Sequence, residues 1–279
     1  MSFLFPTFIK SNQNTLDMKK RSLLFISLLV IGNSYWSLGQ HFNLESATYA
    51  TSTIGLKSCI PLIKNNRYNE ISKASGIHTL YGLFALKKDL NIYVELPFII
   101  AKDKYKTQTG IGNLAIVMRG SVNESNNSHV SIGAYLPTVG HESLKQDIGL
   151  RSNVYRLTQF VPALTIYTNY SYANPSDRKG IFGVEVGPEI LLPGAVLLHA
   201  GAKGGHKFDV VWLWAEYNGL LMVTGSGISF SERVIHQLVF GTQLNLGKVN
   251  PGFFYTLPLD NIRVDDSNGA LGFKIEVSI

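Results

Sequence analysis

One short polar segment contains the residue types that nucleophilic hydrolysis uses. His141, Glu142 and Ser143 are consecutive, and Asp147 and Arg151 follow closely. A serine nucleophile needs a histidine within hydrogen-bond reach and a third group that orients this histidine. Sequence neighbours in a loop do not establish that geometry, and a solvated polar loop explains the same residues. We therefore predict that the protein is not an enzyme, with hydrolysis of lipids at this segment as the alternative.

Other kinds of chemical site find little support in the sequence. His199, His206 and His236 lack metal-ligand spacing with acidic partners. Cys59 is the only cysteine, which rules out an internal disulfide framework and a cysteine-based zinc site. The chain has no basic run interleaved with aromatic residues, so nucleic-acid binding is not indicated. We expect no cofactor and no metal.

The remaining polar candidates share one side of a two-residue alternation. Phe182, Val184 and Val186 fall on one parity of segment 181–192, and Glu185 and Glu189 fall on the other. Successive strand side chains point to opposite faces, so such segments are strands with one apolar and one polar face. The candidates for a wet interior are Glu95, Asn113, Arg119, Glu185, Glu189, Glu216, Asn218, Arg233, Gln237, Gln243, Lys274 and Glu276. They would either line a pore and set its selectivity, or brace a nearly filled interior.

The elements that must position these residues are strands. Segments of this kind lie near 48–60, 77–86, 90–101, 111–122, 128–137, 154–170, 181–192, 195–205, 211–224, 233–246, 249–258 and 269–279. Twelve is an even number, and the connections mostly alternate between short and long, as in bacterial outer-membrane barrels. Two connections break the alternation, so the count could differ by two. We predict an all-β fold, a closed antiparallel up-and-down transmembrane β-barrel of about twelve strands.

A secreted β-sandwich is the competing fold, because its strands also have one apolar face. Most of the predicted strands have 10–14 residues, longer than the common ~5–6 and suited to a tilted span of ~9–11. Closure also satisfies every backbone donor and acceptor, which a hydrocarbon environment demands. These points favour the barrel.

The first 39 residues resemble a targeting segment. Met18-Lys-Lys-Arg21 precedes an apolar stretch at 22–32 and the small residues Ser37 and Gly39, as in a secretory signal peptide. A membrane anchor is the alternative, but the stretch is shorter than the ~20 residues of a span. The expected organisation is an upstream extension at 1–17, a signal peptide at 18–39 and a barrel at 40–279, with 40–48 as a periplasmic segment or plug. Residues 1–39 hold four of the 25 basic and one of the 19 acidic residues, so their removal lowers the net charge from +6 to +3.

The sequences of three predicted strand segments resemble the outer-membrane protein family named after the meta-pathway of phenol degradation. They are Asn91-Ile-Tyr-Val-Glu-Leu-Pro97, Gly110-Ile-Gly-Asn-Leu-Ala-Ile-Val-Met-Arg-Gly120 and Val130-Ser-Ile-Gly-Ala-Tyr-Leu-Pro-Thr-Val-Gly140, and Ala215-Glu-Tyr-Asn-Gly219 is similar to a later strand of the family. Asn113 stands where the family usually has Asp, and the chain ends in Ile279 rather than an aromatic residue. The resemblance covers roughly 76–279 and implies a transporter-like barrel linked to uptake of hydrophobic or aromatic compounds.

The sequence therefore predicts passive passage or binding of a small solute across the bacterial outer membrane. The expected partners are outer-membrane lipid, the barrel-assembly machinery and an unidentified small molecule. The alternatives are an outer-membrane lipid hydrolase and a structural barrel without an open pore. Aromatic residues near predicted strand ends are interpreted as interfacial girdles, with a hydrophobic ligand site as the alternative. They are Tyr167, Tyr170, Tyr172, Trp212, Trp214, Phe253, Phe254 and Tyr255.

Overall fold

A computed structural model describes most of the chain after residue 51. The described residues are 52–63, 75–87, 89–102, 107–123, 125, 127–138, 163–173, 179–192, 194–224, 233–260 and 267–279. The predicted extension, signal peptide and plug lie outside them, as does the candidate hydrolytic segment with His141 and Ser143. The described residues contain no helix long and apolar enough to cross a membrane.

The described residues form thirteen strands in one sheet. They are β1 (Thr53–Ile63), β2 (Gly76–Lys87), β3 (Leu90–Lys102), β4 (Thr107–Ile111), β5 (Leu114–Ser121), β6 (Ser128–Leu136), β7 (Leu164–Ala173), β8 (Gly180–Leu192), β9 (Ala195–Phe208), β10 (Val211–Met222), β11 (Val234–Leu244), β12 (Val249–Pro258) and β13 (Ser267–Ser278). All neighbours pair antiparallel.

The sheet closes into a barrel because the first strand pairs with the last. Thr53 lies opposite Ser278 in β13 and opposite Leu83 in β2. β1 therefore has a neighbour on both sides, and no free edge remains at the seam. The prediction of a closed antiparallel up-and-down barrel is confirmed.

Two of the thirteen strands occupy one position in the barrel wall, so the wall has twelve positions. β4 pairs with the end of β3 through Phe98–Lys102, whereas β5 pairs with its beginning through Leu90–Glu95. Gly112 and Asn113 separate the two pieces and are not in strand conformation. The predicted count of twelve is confirmed, and the single strand predicted at 111–122 is a broken strand that starts earlier.

Alternation of burial along the strands shows which side chains lie on the inner face of the wall and which lie on the outer face. In β8, Phe182, Val184 and Val186 are 39–52% exposed, whereas Glu185 is 4% exposed and Glu189 is fully buried. The same reversal of ordinary burial holds in β3, where Ile100 is exposed and Glu95 is buried. A surface of exposed apolar side chains around buried charges is the pattern of a barrel in hydrocarbon.

The bounds of β7 differ from the prediction. A strand was predicted at 154–170, and β7 runs from Leu164 to Ala173. Residues 154–162 lie outside the described part of the chain. The observed end lies three residues beyond the predicted one, because period and composition alone do not locate a strand end.

Glycines and aromatic rings alternate along one interior row of the wall. The row runs through Gly205, Trp214, Gly241, Phe254, Gly272 and Cys59 on six neighbouring strands. A Cβ at Gly241 would overlap the Trp214 indole, and one at Gly272 would overlap the Phe254 ring. Each ring therefore lies over the glycine of the next strand, the arrangement known as aromatic rescue of glycine.

A concave groove of about 870 Å³ lies against the same row, with Phe240, Phe253 and Leu271 in its lining. These three side chains are 47–58% exposed, so the groove opens on the apolar exterior of the barrel. Its floor includes Gly241 and Gly272, where the absence of side chains leaves room between the outward aromatic residues.

Candidate functional site

The barrel interior contains most of the polar residues that the sequence singles out. Ten of the twelve are at most 6% exposed: Glu95, Asn113, Arg119, Glu185, Glu189, Glu216, Asn218, Gln237, Gln243 and Lys274. Glu276 has a side chain that is 13% exposed, and Arg233, just before β11, is half-buried. Whether these residues line a path for a solute stays a prediction.

One interior carboxylate has several partners, on its own strand and on strands two positions away in the sheet. Glu276 in β13 accepts hydrogen bonds from the Tyr81 hydroxyl at 2.8 Å and from Gln243 Nε2 at 2.9 Å. Lys274 Nζ lies 3.6 Å from Glu276 Oε2. We call Glu276, Tyr81, Gln243 and Lys274 the Glu276 cluster. Charge-assisted hydrogen bonds are the stronger ones, so this cluster braces β2, β11 and β13 against one another.

A second interior carboxylate has far fewer partners. Glu185 in β8 accepts a hydrogen bond from Asn169 Nδ2 at 3.2 Å. Within the described residues, no lysine, arginine or histidine nitrogen lies within 4.0 Å of its carboxylate. Across Gly201 of β9 lies Asn218 of β10, which is fully buried. We call Glu185, Asn169, Gly201 and Asn218 the Glu185 site.

The other predicted acidic residues each meet a neighbour that the sequence analysis did not single out as interior. Glu95 accepts a hydrogen bond from the Tyr93 hydroxyl at 2.7 Å. Glu189 Oε1 lies 3.3 Å from His199 Nδ1. Glu216 Oε2 lies 3.9 Å from Lys203 Nζ, which also lies 4.3 Å from the centre of the Trp214 ring. Arg119 contacts His129 Nδ1 at 2.9 Å. Glu95 and Arg119 gain hydrogen bonds in this way, whereas among the described residues neither Glu189 oxygen and neither His199 ring nitrogen has a hydrogen-bond partner.

Tyrosines form the apolar part of the interior. Tyr81, Tyr93, Tyr135 and Tyr167 are buried in one cluster with Leu83, Ala115 and Val117. The ring centres of Tyr81 and Tyr93 are 6.0 Å apart, and those of Tyr135 and Tyr167 are 6.2 Å apart. Tyr167 also stacks on His199 at 5.1 Å. The cluster thus joins the β2–β3 side of the interior to the Glu189–His199 pair.

The interpretation of three aromatic residues as interfacial girdles is wrong. Tyr167 is fully buried, and Phe254 is 6% exposed. Trp214 packs against the buried cluster formed by Cys59, Val239, Phe254 and Ala270. Their parity assigns them to the interior, and proximity to predicted strand ends was a weaker signal. Exposure of 48% for Tyr170 and 58% for Phe253 places those two on the exterior.

Asn113 has a structural role at the break between β4 and β5. Its Oδ1 accepts a hydrogen bond from the Thr138 backbone amide at 3.1 Å, and the Thr138 hydroxyl donates to the Gly112 carbonyl at 2.5 Å. The Gly112 amide in turn donates to the Pro97 carbonyl at 2.8 Å. The three segments that carry the family resemblance therefore contact one another at the break between β4 and β5.

Several interior residues were missed in the sequence. They are Lys57, Tyr81, Tyr93, His129, Tyr135, Asn169 and Lys203, all at most 9% exposed. The predicted strand at 195–205 contains Lys203, and parity places it on the face of His199 and Gly201, so the alternation was sufficient to find it. Tyrosine gives no such signal, because its amphipathic side chain fits either face.

The interior offers non-covalent interactions with a small molecule. It presents carboxylates, ammonium and guanidinium groups, amides and tyrosine hydroxyls from all sides of the wall. The described residues contain no group of three or more His, Cys, Asp or Glu side chains that could hold a metal ion.

Comparisons with known proteins were made on sequence and on structure. No family model matches the chain, and no curated protein matches it. Solved structures do match: the NanC porin has a TM-score of 0.51 at 7% identity, covering 81% of this chain and 98% of its own. The translocator domain of the autotransporter NalP from Neisseria meningitidis has a TM-score of 0.51 at 11% identity, with coverages of 94% and 95%.

These two likenesses show the fold. The likeness covers 98% of the first solved chain and 95% of the second, so the shared fold extends over almost the whole of each. The resemblance to the meta-pathway family stays a prediction, since no family model supports it.

Proposed function

We propose that the protein is a bacterial outer-membrane β-barrel that allows passage, or binding, of a small solute in its interior. The observation that carries the proposal is the inversion of ordinary burial. Val184 and Val186 are exposed on the outside, whereas Glu185 and Glu189 are buried within. Charges buried behind an apolar exterior suit a protein that is surrounded by lipid and acts through its interior.

The interior side chains set the conditions for passage. Glu95, Arg119, Glu189 and His199 are at most 2% exposed, so no wide aqueous channel runs along these residues. A solute would pass by displacing them, which favours low conductance and a selective path over a general diffusion pore.

The same burial favours a second candidate, a barrel without an open pore. In that case the Glu276 cluster and the Glu189–His199 pair would only brace the wall. The buried pairs are compatible with both functions, because an ion pair that braces the closed state can also part when a solute enters.

The family resemblance suggests a hydrophobic or aromatic solute. The four clustered tyrosines support this in part, since their rings offer apolar faces beside hydroxyl groups. Carboxylates close to the rings would favour a solute that also has a polar or cationic group. Lipid around the exterior and the barrel-assembly machinery are the further expected partners.

Planar-bilayer recording tests this proposal. Purified, refolded protein should give discrete single-channel steps, smaller than those of a general porin, and the steps should change in amplitude or duration when interior charges are substituted. Substitution of an exposed residue such as Phe253 serves as the control and should leave conductance unchanged. A barrel that inserts but never conducts would overturn passage and leave the closed structural barrel.

A further inference from the structure

The Glu185 site has an excess of hydrogen-bond acceptors. An ideal Cβ at Gly201 would lie 3.0 Å from Glu185 Oε1 and 3.1 Å from Asn218 Oδ1. The two oxygens therefore converge on the small space above the glycine. Neither of them can donate a hydrogen bond when Glu185 is ionised, because a carboxylate and an amide oxygen are both acceptors.

Asn218 supplies an independent indication that something else belongs there. Its side chain is fully buried, and neither of its amide atoms has a hydrogen-bond partner among the described residues. A buried amide without partners costs free energy. Asn169, in β7 on the opposite side of β8 from Gly201, donates a hydrogen bond to Oε2 of Glu185 and not to Oε1.

The charges around the site leave the Glu185 carboxylate without a close counter-ion. Glu216, Arg119 and Lys203 are the charged groups that act on it. Lys203 lies beside Glu216 and Trp214, and Arg119 contacts His129. An ionised carboxylate buried without a cation in contact is unfavourable.

We infer that the space above Gly201, between Glu185 and Asn218, binds a small monovalent cation, either ammonium, free or at the end of an amine, or an alkali-metal ion. An ammonium group donates hydrogen bonds and accepts none, so it suits two acceptor oxygens that approach the same side of a glycine. The inference rests on the proposed function, because the cation reaches the site through the barrel interior.

Cation-dependent unfolding tests the site directly. The temperature at which the refolded protein loses its compact, fast-migrating gel form is measured at equal ionic strength in ammonium, potassium or tetramethylammonium chloride. Tetramethylammonium cannot donate and is too bulky to approach the oxygens. Ammonium or potassium should raise the transition by about 2–4 °C at several times its dissociation constant. A larger shift in ammonium than in potassium identifies an amine as the occupant, and a larger shift in potassium identifies a metal ion.

Two variants and one matched control make the test specific. Glu185→Gln keeps the size and removes the charge, and Asn218→Leu removes the converging amide. Both should abolish the difference between cations. Glu276→Gln alters another interior carboxylate that already has close partners, and it should keep the cation effect. If either site variant fails to fold, the other provides the answer.

The competing accounts are that Glu185 holds a proton and donates it to Asn218 Oδ1, or that the Asn218 amide is turned and donates from Nδ2 to Glu185. Under either account the unfolding temperature would be the same in all three salts, and that result overturns the inference. A cation effect that persists in Glu185→Gln overturns it as well, because the cation would then bind elsewhere. Reversal potentials across a bilayer with a potassium chloride gradient separate the two proposals. Absence of conductance together with a cation effect on unfolding contradicts passage through the barrel and leaves the binding site in place. Conductance without any cation effect contradicts only the site.

Discussion

The Glu276 cluster and the Glu185 site place the same carboxylate chemistry in two different settings. Glu276 accepts two hydrogen bonds and has Lys274 at 3.6 Å, whereas Glu185 accepts one hydrogen bond from an amide. Both lie on the interior parity of a strand that carries apolar residues outside. The difference shows that an inward charge is not by itself a sign of function, because its partners decide whether it stabilises the wall or remains available to a ligand.

The largest expected difference between the two regions is the cost of removing the carboxylate. Glu276→Ala leaves Lys274, Tyr81 and Gln243 without their shared acceptor, and we expect a loss of about 3–5 kcal/mol of unfolding free energy. Glu185→Ala removes the acceptor of one amide and a buried charge, so we expect about 1 kcal/mol or less. Equilibrium unfolding in guanidinium with detergent micelles measures both. Equal losses would mean that the two carboxylates have the same role.

The comparison requires that both carboxylates face inward, and a charge on the opposite parity tests this. Val184, next to Glu185, is 39% exposed on the apolar exterior. Val184→Arg should cost ~2–4 kcal/mol at the middle of the membrane and reduce the amount of assembled barrel. Val184→Leu is the control and should assemble normally. Full assembly of the arginine variant in outer membranes would show that the assigned face is wrong.

Removal of a single hydrogen bond from the Glu276 cluster should lower the unfolding free energy by a smaller but measurable amount than removal of the carboxylate. Tyr81→Phe removes the donor to Glu276 Oε1, and hydrogen bonds to charged groups contribute about 1.5–3 kcal/mol. Tyr170→Phe alters a tyrosine that is 48% exposed on the exterior and should change stability by no more than about 0.5 kcal/mol. The two variants are compared by the same unfolding titration. Similar values for both would remove the distinction between a bracing and a lipid-facing hydroxyl.

The smallest expected effect concerns the space in the Glu185 site. A methyl group at Gly201 would press on Glu185 and Asn218, so Gly201→Ala should cost about 1 kcal/mol. At Gly204, on the same strand, no atom of the described residues lies within 4 Å of the ideal Cβ. Gly204→Ala should therefore leave stability and the response to cations unchanged. The unfolding transition in ammonium chloride distinguishes the two, and a cation effect that survives Gly201→Ala would place the ligand elsewhere.

Much of the wall could be predicted from the sequence because a lipid-facing strand has strict side-chain alternation. In the sequence of β8, Glu185 and Glu189 have one parity and Val184 and Val186 have the other. The structure buries the two glutamates and exposes the two valines. The number of strand positions followed from the same alternation. The break at Gly112 and Asn113 did not, because one irregular residue pair leaves little trace in a two-residue period.

The partners inside the barrel could not be predicted in the same way. Parity assigns Glu276 and Tyr81 to a face, but their contact depends on the pairing register across β13, β1 and β2. Residues 195 positions apart in the chain meet in this hydrogen bond. The Glu185 site likewise depends on three strands in register, with Gly201 between two polar residues. Register over such distances is not contained in local patterns.

Heat modifiability tests the central claim of a closed barrel in the outer membrane most directly. The protein is expressed from the full chain, outer membranes are isolated, and gel mobility is compared with and without boiling in detergent. A fast-migrating band that becomes slower on boiling is the predicted result, because the closed sheet resists the detergent until it is heated. A soluble periplasmic protein with one mobility would contradict the barrel and support a secreted sandwich.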